Sequence, residues 1–148
     1  MTWFVYALVA AVLWGGSYVL YEQIMKTMSA ASAMFYTAFG TVFFYLVVSV
    51  FDKTLLPDWQ TVKSGGRETW MIAGVIVVNA LANLLLLVSM KMKNATLSGL
   101  IEISYPLFTA LFAWLFLKEA QLSPGTFAGA LLIFAGVACI YYFSRGVA

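Results

Sequence analysis

The sequence predicts an all-α integral membrane protein, a bundle of five transmembrane helices, because of its composition and its five long apolar runs. Of the 148 residues, 64% are hydrophobic and 9% are charged, whereas soluble domains average about 45–50% and about 25%. Each run has the ~20 residues that a helix needs to cross a bilayer, while transmembrane strands would alternate polar and apolar residues over about ten positions. The predicted helices cover residues 3–21, 33–51, 70–90, 95–117 and 124–143, in one domain of residues 1–148.

The first run is predicted to be a retained helix rather than a signal peptide. Helix 1 has no basic segment before it and is longer than the apolar stretch of a signal peptide. Between helices 2 and 3, residues 52–69 carry Pro57, mixed charges and Trp59. This composition predicts a segment at the membrane interface rather than a separate soluble domain.

Helix 4 contains Glu102, the one charged residue within the five apolar runs, four residues before Pro106. Such a charge costs about 2.5–3.5 kcal/mol to insert, which the helix's leucine, isoleucine and phenylalanine residues offset at about 0.3–0.6 kcal/mol each. Pro106 lacks an N–H, so it leaves the Glu102 carbonyl without its usual helical partner and predicts a bend. Glu102 is therefore a candidate for binding a proton, a cation or a substrate ammonium; the alternative is a protonated acid bonded between helices.

Helix 5 is predicted to begin at Ser123, an N-cap residue followed by a proline. Its span is almost free of polar residues and carries Gly125, Gly129 and Gly136. Gly125 and Gly129 are four residues apart, a spacing that allows backbones to approach closely, and Gly136 follows two turns later; these three predict a dimer contact.

Several classes of function are excluded by what the sequence lacks. There is no histidine and only one cysteine, so we expect no metal site, no cofactor and no catalytic triad based on imidazole. The net charge of +2 is too small and too scattered to indicate nucleic acid.

The positive charges show no bias between the two sides of the membrane. Four lie on the side of the N-terminus and four on the other, a difference of 4 − 4 = 0: Lys53, Lys63, Arg67 and Lys118 against Lys26, Lys91, Lys93 and Arg145. Because such charges normally set orientation, a chain without bias is compatible with insertion both ways. A fixed orientation set by charges near helix 1 is the alternative.

Several short segments resemble a known family. They are ATLSGL at 95–100, YPLF at 105–108, Lys118-Glu119, the three glycines of helix 5, and WGGS at 14–17. Together they resemble the EamA-type repeat of the drug/metabolite transporter superfamily. Typical members carry two such repeats in ten helices, so one repeat resembles the half-length bacterial and archaeal branch. The resemblance implies a homodimer whose second copy is inverted.

Polar and aromatic side chains recur at helical spacing on four of the helices, and we interpret them as a candidate substrate cavity around Glu102. They are Trp14, Ser17, Tyr18, Thr37, Thr41, Asn79, Asn83, Ser98, Tyr105 and Thr109. Trp14, Tyr18 and Tyr105 could hold a cationic or aromatic solute through cation–π contacts. The alternative, favoured for Asn79 and Asn83, is that such residues only hydrogen-bond helices together.

The leading hypothesis is a secondary active transporter, most simply an exporter, of small metabolites or of amphipathic or aromatic solutes. It would work by alternating access in the inner membrane of a prokaryote, coupled to protons through Glu102. The alternative is a structural or accessory subunit that assembles with another membrane protein. An enzyme is disfavoured because only one buried acid is present.

Overall fold

The computed structural model describes residues 2–118 and 123–144, and this part of the chain is helical, with no strand. The helices are α1 Thr2–Ile24, α2 Ala30–Phe51, α3 Leu55–Lys63, α4 Arg67–Met92, α5 Ala95–Glu102, α6 Tyr105–Phe112 and α7 Pro124–Phe143; a π-helical turn, Ala113–Leu117, continues α6. Glu119 and Arg145, used above in the family signature and the charge balance, lie outside the described residues.

Five of the described segments are long and apolar enough to cross a membrane, as predicted. They are α1, α2, α4, the segment Ala95–Leu117 and Gly125–Phe143. The structure forms two compact units, one of Met1–Glu22 with Ser89–Ala148 and one of Gln23–Val88. The expectation of a single domain stays a prediction.

Three of the spans are longer than their apolar runs. Helix α1 continues to Ile24 and so includes Glu22, while α4 begins at Arg67 and ends at Met92. Helix α2 begins at Ala30, where the Ser29 side chain accepts a hydrogen bond from the backbone N–H of Ser32 at 3.1 Å. Polar residues at the end of a span do not interrupt the backbone hydrogen bonds, so these helices extend beyond their apolar segments.

Helix α2 ends in a tight turn that leads directly into α3, a short helix that the sequence analysis did not predict. The N–H of Lys53 bonds the carbonyl of Val50 at 3.2 Å, and the N–H of Thr54 bonds that of Ser49 at 3.2 Å. Lys53 adopts the left-handed conformation, with φ of 56°. This is the Schellman arrangement that ends many helices, usually with glycine at the left-handed position.

The fourth span is interrupted between α5 and α6. At the interruption the Ser104 N–H bonds the Ile101 carbonyl at 3.1 Å, and the Leu107 N–H bonds the Ser104 carbonyl at 3.0 Å. These bonds to the third residue back are tighter than those of an α-helix. Pro106 is the second residue of α6, and in a first helical turn its missing N–H removes no helical bond.

Helix α7 begins as predicted, because the Ser123 hydroxyl accepts a hydrogen bond from the N–H of Thr126 at 3.3 Å. The helix contacts α5. Its half-buried residues recur every three or four positions, as one helical face requires: Ala130, Ile133, Val137 and Ile140.

The left-handed Lys53 makes a testable prediction about stability. We expect Lys53→Gly to raise the free energy of unfolding by about 1 kcal/mol, because glycine adopts this conformation without the strain that a side chain causes. Lys63→Gly is the matched control, since it removes the same side chain from a helical position and should lower stability by about 0.5–1 kcal/mol. The measurement is reversible unfolding in mixed micelles. Equal losses in both variants would contradict the prediction.

Candidate intramembrane carboxylate site

Glu102 meets a phenol from another helix inside the membrane-spanning region. The Tyr18 hydroxyl of α1 donates a hydrogen bond to Oε2 of Glu102, the last residue of α5, and both side chains are half-buried. At ~1.5 Å rise per residue, Tyr18 lies about 9 Å from the end of α1 and Glu102 about 10 Å from the start of α5. The two residues therefore lie at the same depth from the same side of the membrane.

A glycine allows this contact. A Cβ built on Gly99 would lie 3.0 Å from Cδ2 and 3.2 Å from Cε2 of the Tyr18 ring. The ring thus passes directly over the backbone of α5, one helical turn before Glu102. A side chain at position 99 would occupy the space of the ring.

A second carboxylate joins the same two helices. Oε2 of Glu22 accepts a hydrogen bond from the backbone N–H of Ala95, the first residue of α5, at 2.6 Å. Glu22 follows Tyr18 by four residues, and Ala95 precedes Glu102 by seven. Two contacts in opposite chain order show that α1 and α5 run antiparallel here, and together they set the register of one helix along the other.

The N-terminus of α5 is capped twice. Besides Glu22, the side-chain oxygen of Asn94 accepts a hydrogen bond from the N–H of Leu97 at 2.7 Å. These acceptors satisfy two of the N–H groups that every helix start leaves free. The negative charge of Glu22 also interacts favourably with the positive end of the helix dipole.

Aromatic rings flank the carboxylate. The Trp14 ring lies one turn before Tyr18 on α1, with their centroids 5.7 Å apart and their planes tilted by 58°. Trp14 is 53% exposed and Tyr105 is 61% exposed. Tyr105 follows Glu102 by three residues, at the start of α6.

Within the described residues, no lysine or arginine forms an ion pair with Glu102, whose side chain bonds Tyr18. A half-buried carboxylate within a membrane span leaves oxygen lone pairs that an added cation can bind. The site thus combines one acidic group with accessible aromatic faces.

The other predicted cavity residues of this unit bond elsewhere. Ser98 is buried, and its hydroxyl is 2.9 Å from that of Ser89, so it links the end of α4 to α5. The Ser17 hydroxyl donates to the Trp14 carbonyl at 2.8 Å, and the Thr109 hydroxyl to the Tyr105 carbonyl at 3.2 Å. In the structure these three hydroxyls thus bond groups of the helices and not the Glu102 carboxylate.

The predicted cavity residues of α2 and α4 belong to the other unit and also bond their own helices. Thr37 donates to the Ala33 carbonyl at 2.9 Å and Thr41 to the Thr37 carbonyl at 2.8 Å. Asn79 donates to the Val75 carbonyl at 3.0 Å and Asn83 to the Asn79 carbonyl at 2.8 Å. Their place in a substrate cavity stays a prediction.

Sequence reasoning missed two residues of the site. Glu22 lies just outside the helix predicted over residues 3–21, although its helical spacing of four from Tyr18 is a signal that could have identified it. Gly99 entered only as part of the family signature. Its contact with Tyr18 joins residues far apart in the chain and leaves no local signal.

The fold and the site show the class to which this protein belongs: it is a multi-pass membrane protein with a carboxylate inside its membrane-spanning region. The sequence profile of the EamA-like transporter family matches residues 1–142. The chain therefore belongs to the EamA-like transporter family, and its five candidate spans fit a half-length protein of this type. No curated protein and no solved structure matches it significantly.

Family membership confirms the coarse functional prediction. The protein is a membrane transporter of the drug/metabolite type, and the family indicates a transporter rather than an enzyme.

The contact of Gly99 with Tyr18 generates a prediction about the site. We expect Gly99→Leu to push the Tyr18 ring away and break its hydrogen bond to Glu102, at a cost of about 1–3 kcal/mol in stability from overpacking. Solid-state NMR of protein labelled at tyrosine Cζ, with the Tyr18 signal assigned from Tyr18→Phe, should show that signal move toward the position of an exposed phenol.

The control is Gly74→Leu, because a Cβ at Gly74 meets nothing within 4 Å. That variant should leave the Tyr18 signal in place. An unmoved signal in Gly99→Leu would show that the ring does not depend on the absence of a side chain at position 99.

Proposed function

We propose that the protein is a secondary active transporter that exports small cationic, amphipathic or aromatic solutes by alternating access. The proposal rests on one observation above all: the Glu102 carboxylate, at membrane depth, is held by the Tyr18 hydroxyl and flanked by exposed aromatic rings. An ionisable group inside a membrane span is costly and marks a substrate or proton pathway in most proteins that keep one.

The site's chemistry favours exchange of a solute against protons. A cation or a proton that binds Oε2 of Glu102 would compete with the Tyr18 hydroxyl that donates to that oxygen. Proton and solute thus compete for the same oxygen, and binding of one favours release of the other. The faces of Trp14 and Tyr105 add cation–π and stacking contacts, which suit an aromatic or amphipathic cation.

The interruption of the fourth span supports movement at this place. Glu102 is the last residue of α5, and the next helix starts only at Tyr105. In many transporters, discontinuous helices form the binding site and their ends interact with ions and substrates. Non-helical backbone at this depth is tolerated where protein or a water-filled cavity surrounds it.

We infer that two copies assemble as an inverted homodimer. The loop and terminal charges balance as 4 − 4 = 0 between the two sides, so orientation is weakly specified. A Cβ on Gly129 or Gly136 would meet nothing within 4 Å, and one on Gly125 only the Ser123 hydroxyl at 3.9 Å. This glycine stripe on α7 is open to close packing against a second helix.

We propose that the protein lies in the inner membrane of a prokaryote, because the half-length branch that the chain resembles is bacterial and archaeal. The substrate cavity would include Trp14, Tyr18 and Tyr105, which belong to the same compact unit as Glu102. In a proton-coupled mechanism, Glu102 would be the residue that binds and releases the proton.

The role of Glu102 is tested by replacing its charge. In proteoliposomes carrying a pH-sensitive dye, we expect added tetraphenylphosphonium, an aromatic amine or a basic amino acid to drive proton movement through the wild type. Glu102→Gln should reduce that movement by at least ~10-fold, because an amide cannot take up and release a proton at working pH.

Glu68→Gln is the matched control, since Glu68 lies exposed in the first turn of α4 and should transport normally when neutralised. Full proton movement in Glu102→Gln would remove the carboxylate from the mechanism. If none of the three solutes elicits proton movement through the wild type, that result would contradict the proposed substrate class.

The inverted homodimer is tested with reporters fused after Ala148. One fusion carries a reporter that signals only inside the cell, and a separate fusion carries one that signals only outside. Both should be active if the chain inserts in both orientations. Adding two lysines to one side should leave a single signal, since the added charges create the missing bias. A single signal from the unmodified chain would contradict dual insertion.

A further inference from the structure

We propose that α3 lies flat on the bilayer surface, with its apolar face, defined as Leu55, Leu56, Trp59 and Val62, inserted at the boundary between lipid headgroups and acyl chains. The occupant of that face is lipid. This inference is independent of which solute the protein transports.

The arrangement of side chains on α3 is amphipathic. At ~100° per residue, the four apolar side chains fall within an arc of about 120°. Asp58, Gln60 and Thr61 lie outside that arc. Lys63 falls within it at the C-terminal end, where a long stem lets the ammonium reach the headgroups. A short helix of this pattern is typical of peptides that bind in the plane of the interface.

Three of the four side chains of this apolar face are exposed in the part of the chain that the structure describes. Leu56 is 76% exposed, Trp59 is 59% exposed and Leu55 is 39% exposed. Val62 is half-buried. Large exposed apolar side chains grouped on one face of a helix indicate a contact with something outside the chain.

Short connections hold α3 at the membrane surface. Three residues separate it from α2 and three separate it from α4, and both neighbours are membrane spans. A three-residue connection reaches at most about 10 Å. The helix therefore lies within one helix diameter of the ends of the two spans that it joins.

Both ends of α3 are fixed to its neighbours. At its start is the turn of Lys53 described above; at its end the Thr69 hydroxyl of α4 donates to the Val62 carbonyl at 2.6 Å. Gly65, with φ of 70°, ends the helix, and its N–H bonds the Val62 carbonyl at 3.3 Å. These bonds orient the helix as part of the α2–α4 connection.

Aromatic residues mark the same level of the membrane. Phe51 at the end of α2 is 80% exposed and Trp70 in the first turn of α4 is 76% exposed. With Trp59 they place three aromatic rings near one interface, where such rings are enriched. This continuity with the lipid-facing ends of the spans favours lipid over a protein partner.

The charges of the α2–α4 connection indicate whether α3 needs anionic lipid in order to insert. Residues 52–68 carry three acidic and three basic side chains, 3 − 3 = 0: Asp52, Asp58 and Glu68 against Lys53, Lys63 and Arg67. A balanced set gives no electrostatic preference for anionic lipid. We therefore expect the same insertion in phosphatidylcholine vesicles with or without phosphatidylglycerol.

Single-cysteine spin labelling tests the proposal. In a Cys139→Ala background the chain has no other cysteine, so labels can be placed at Leu56→Cys and Trp59→Cys on the apolar face. Matched controls on the same helix are Gln60→Cys and Thr61→Cys. In vesicles, the ratio of collisions with oxygen to collisions with a water-soluble nickel chelate should be several-fold higher at the first pair than at the second.

Two results of the labelling experiment would overturn the proposal. Equal nickel accessibility at all four positions would show that α3 stands in water. Labels at 56 and 59 shielded from both reagents, with dipolar broadening between copies, would show a protein partner instead. As a second measurement that introduces no label, lipids brominated near the headgroup should quench wild-type tryptophan fluorescence more than that of Trp59→Phe; equal quenching would also contradict insertion.

Discussion

The contact between the Tyr18 hydroxyl and the Glu102 carboxylate is the interaction on which the first unit depends. Inside a bilayer no water is available to solvate a carboxylate, so the protein must supply a donor or the charge must be neutralised. Tyr18 supplies that donor from a different helix. The requirement therefore fixes more than one side chain: α1 and α5 must pack closely, at one register, with a ring passing over the backbone of α5.

Two further residues meet that requirement, and neither needs to touch a solute. Gly99 leaves room for the Tyr18 ring, whose carbons would lie 3.0 and 3.2 Å from any Cβ at this position. Glu22 holds the start of α5 at 2.6 Å from the end of α1. A shift of α5 by one residue would move Glu102 by about 1.5 Å along the helix and rotate it by about 100°. Either change would break the hydrogen bond, so the register set by Glu22 bears directly on the state of Glu102.

The spans and the candidate acid could be predicted from the sequence because their signals are local. Each apolar run carries its own evidence of length, and Glu102 stands out within its run. The partner of Glu102 could not be assigned, since Tyr18 was one of ten candidate residues at helical spacing and nothing local relates it to a residue 84 positions away. Helix ends were misplaced by a few residues because Glu22 and Arg67 are polar but helix-compatible. Helix α3 had a weak signal in the spacing of Leu55, Trp59 and Val62, obscured by Pro57.

The site also links stability to function in a specific way. Glu102 ends α5, and the span continues only after Ile103 and Ser104, so the residue proposed to bind the proton or solute is also the residue at which the helix is interrupted. When Tyr18 donates to the carboxylate, one hydrogen bond joins α1 to the end of α5, next to the interruption of the span. In the proposed mechanism a cation or proton competes with Tyr18 for the carboxylate, while Glu22 still holds the start of α5. Binding would thus release the end of α5 nearest the interruption and leave its start in place, which is the local change that alternating access needs.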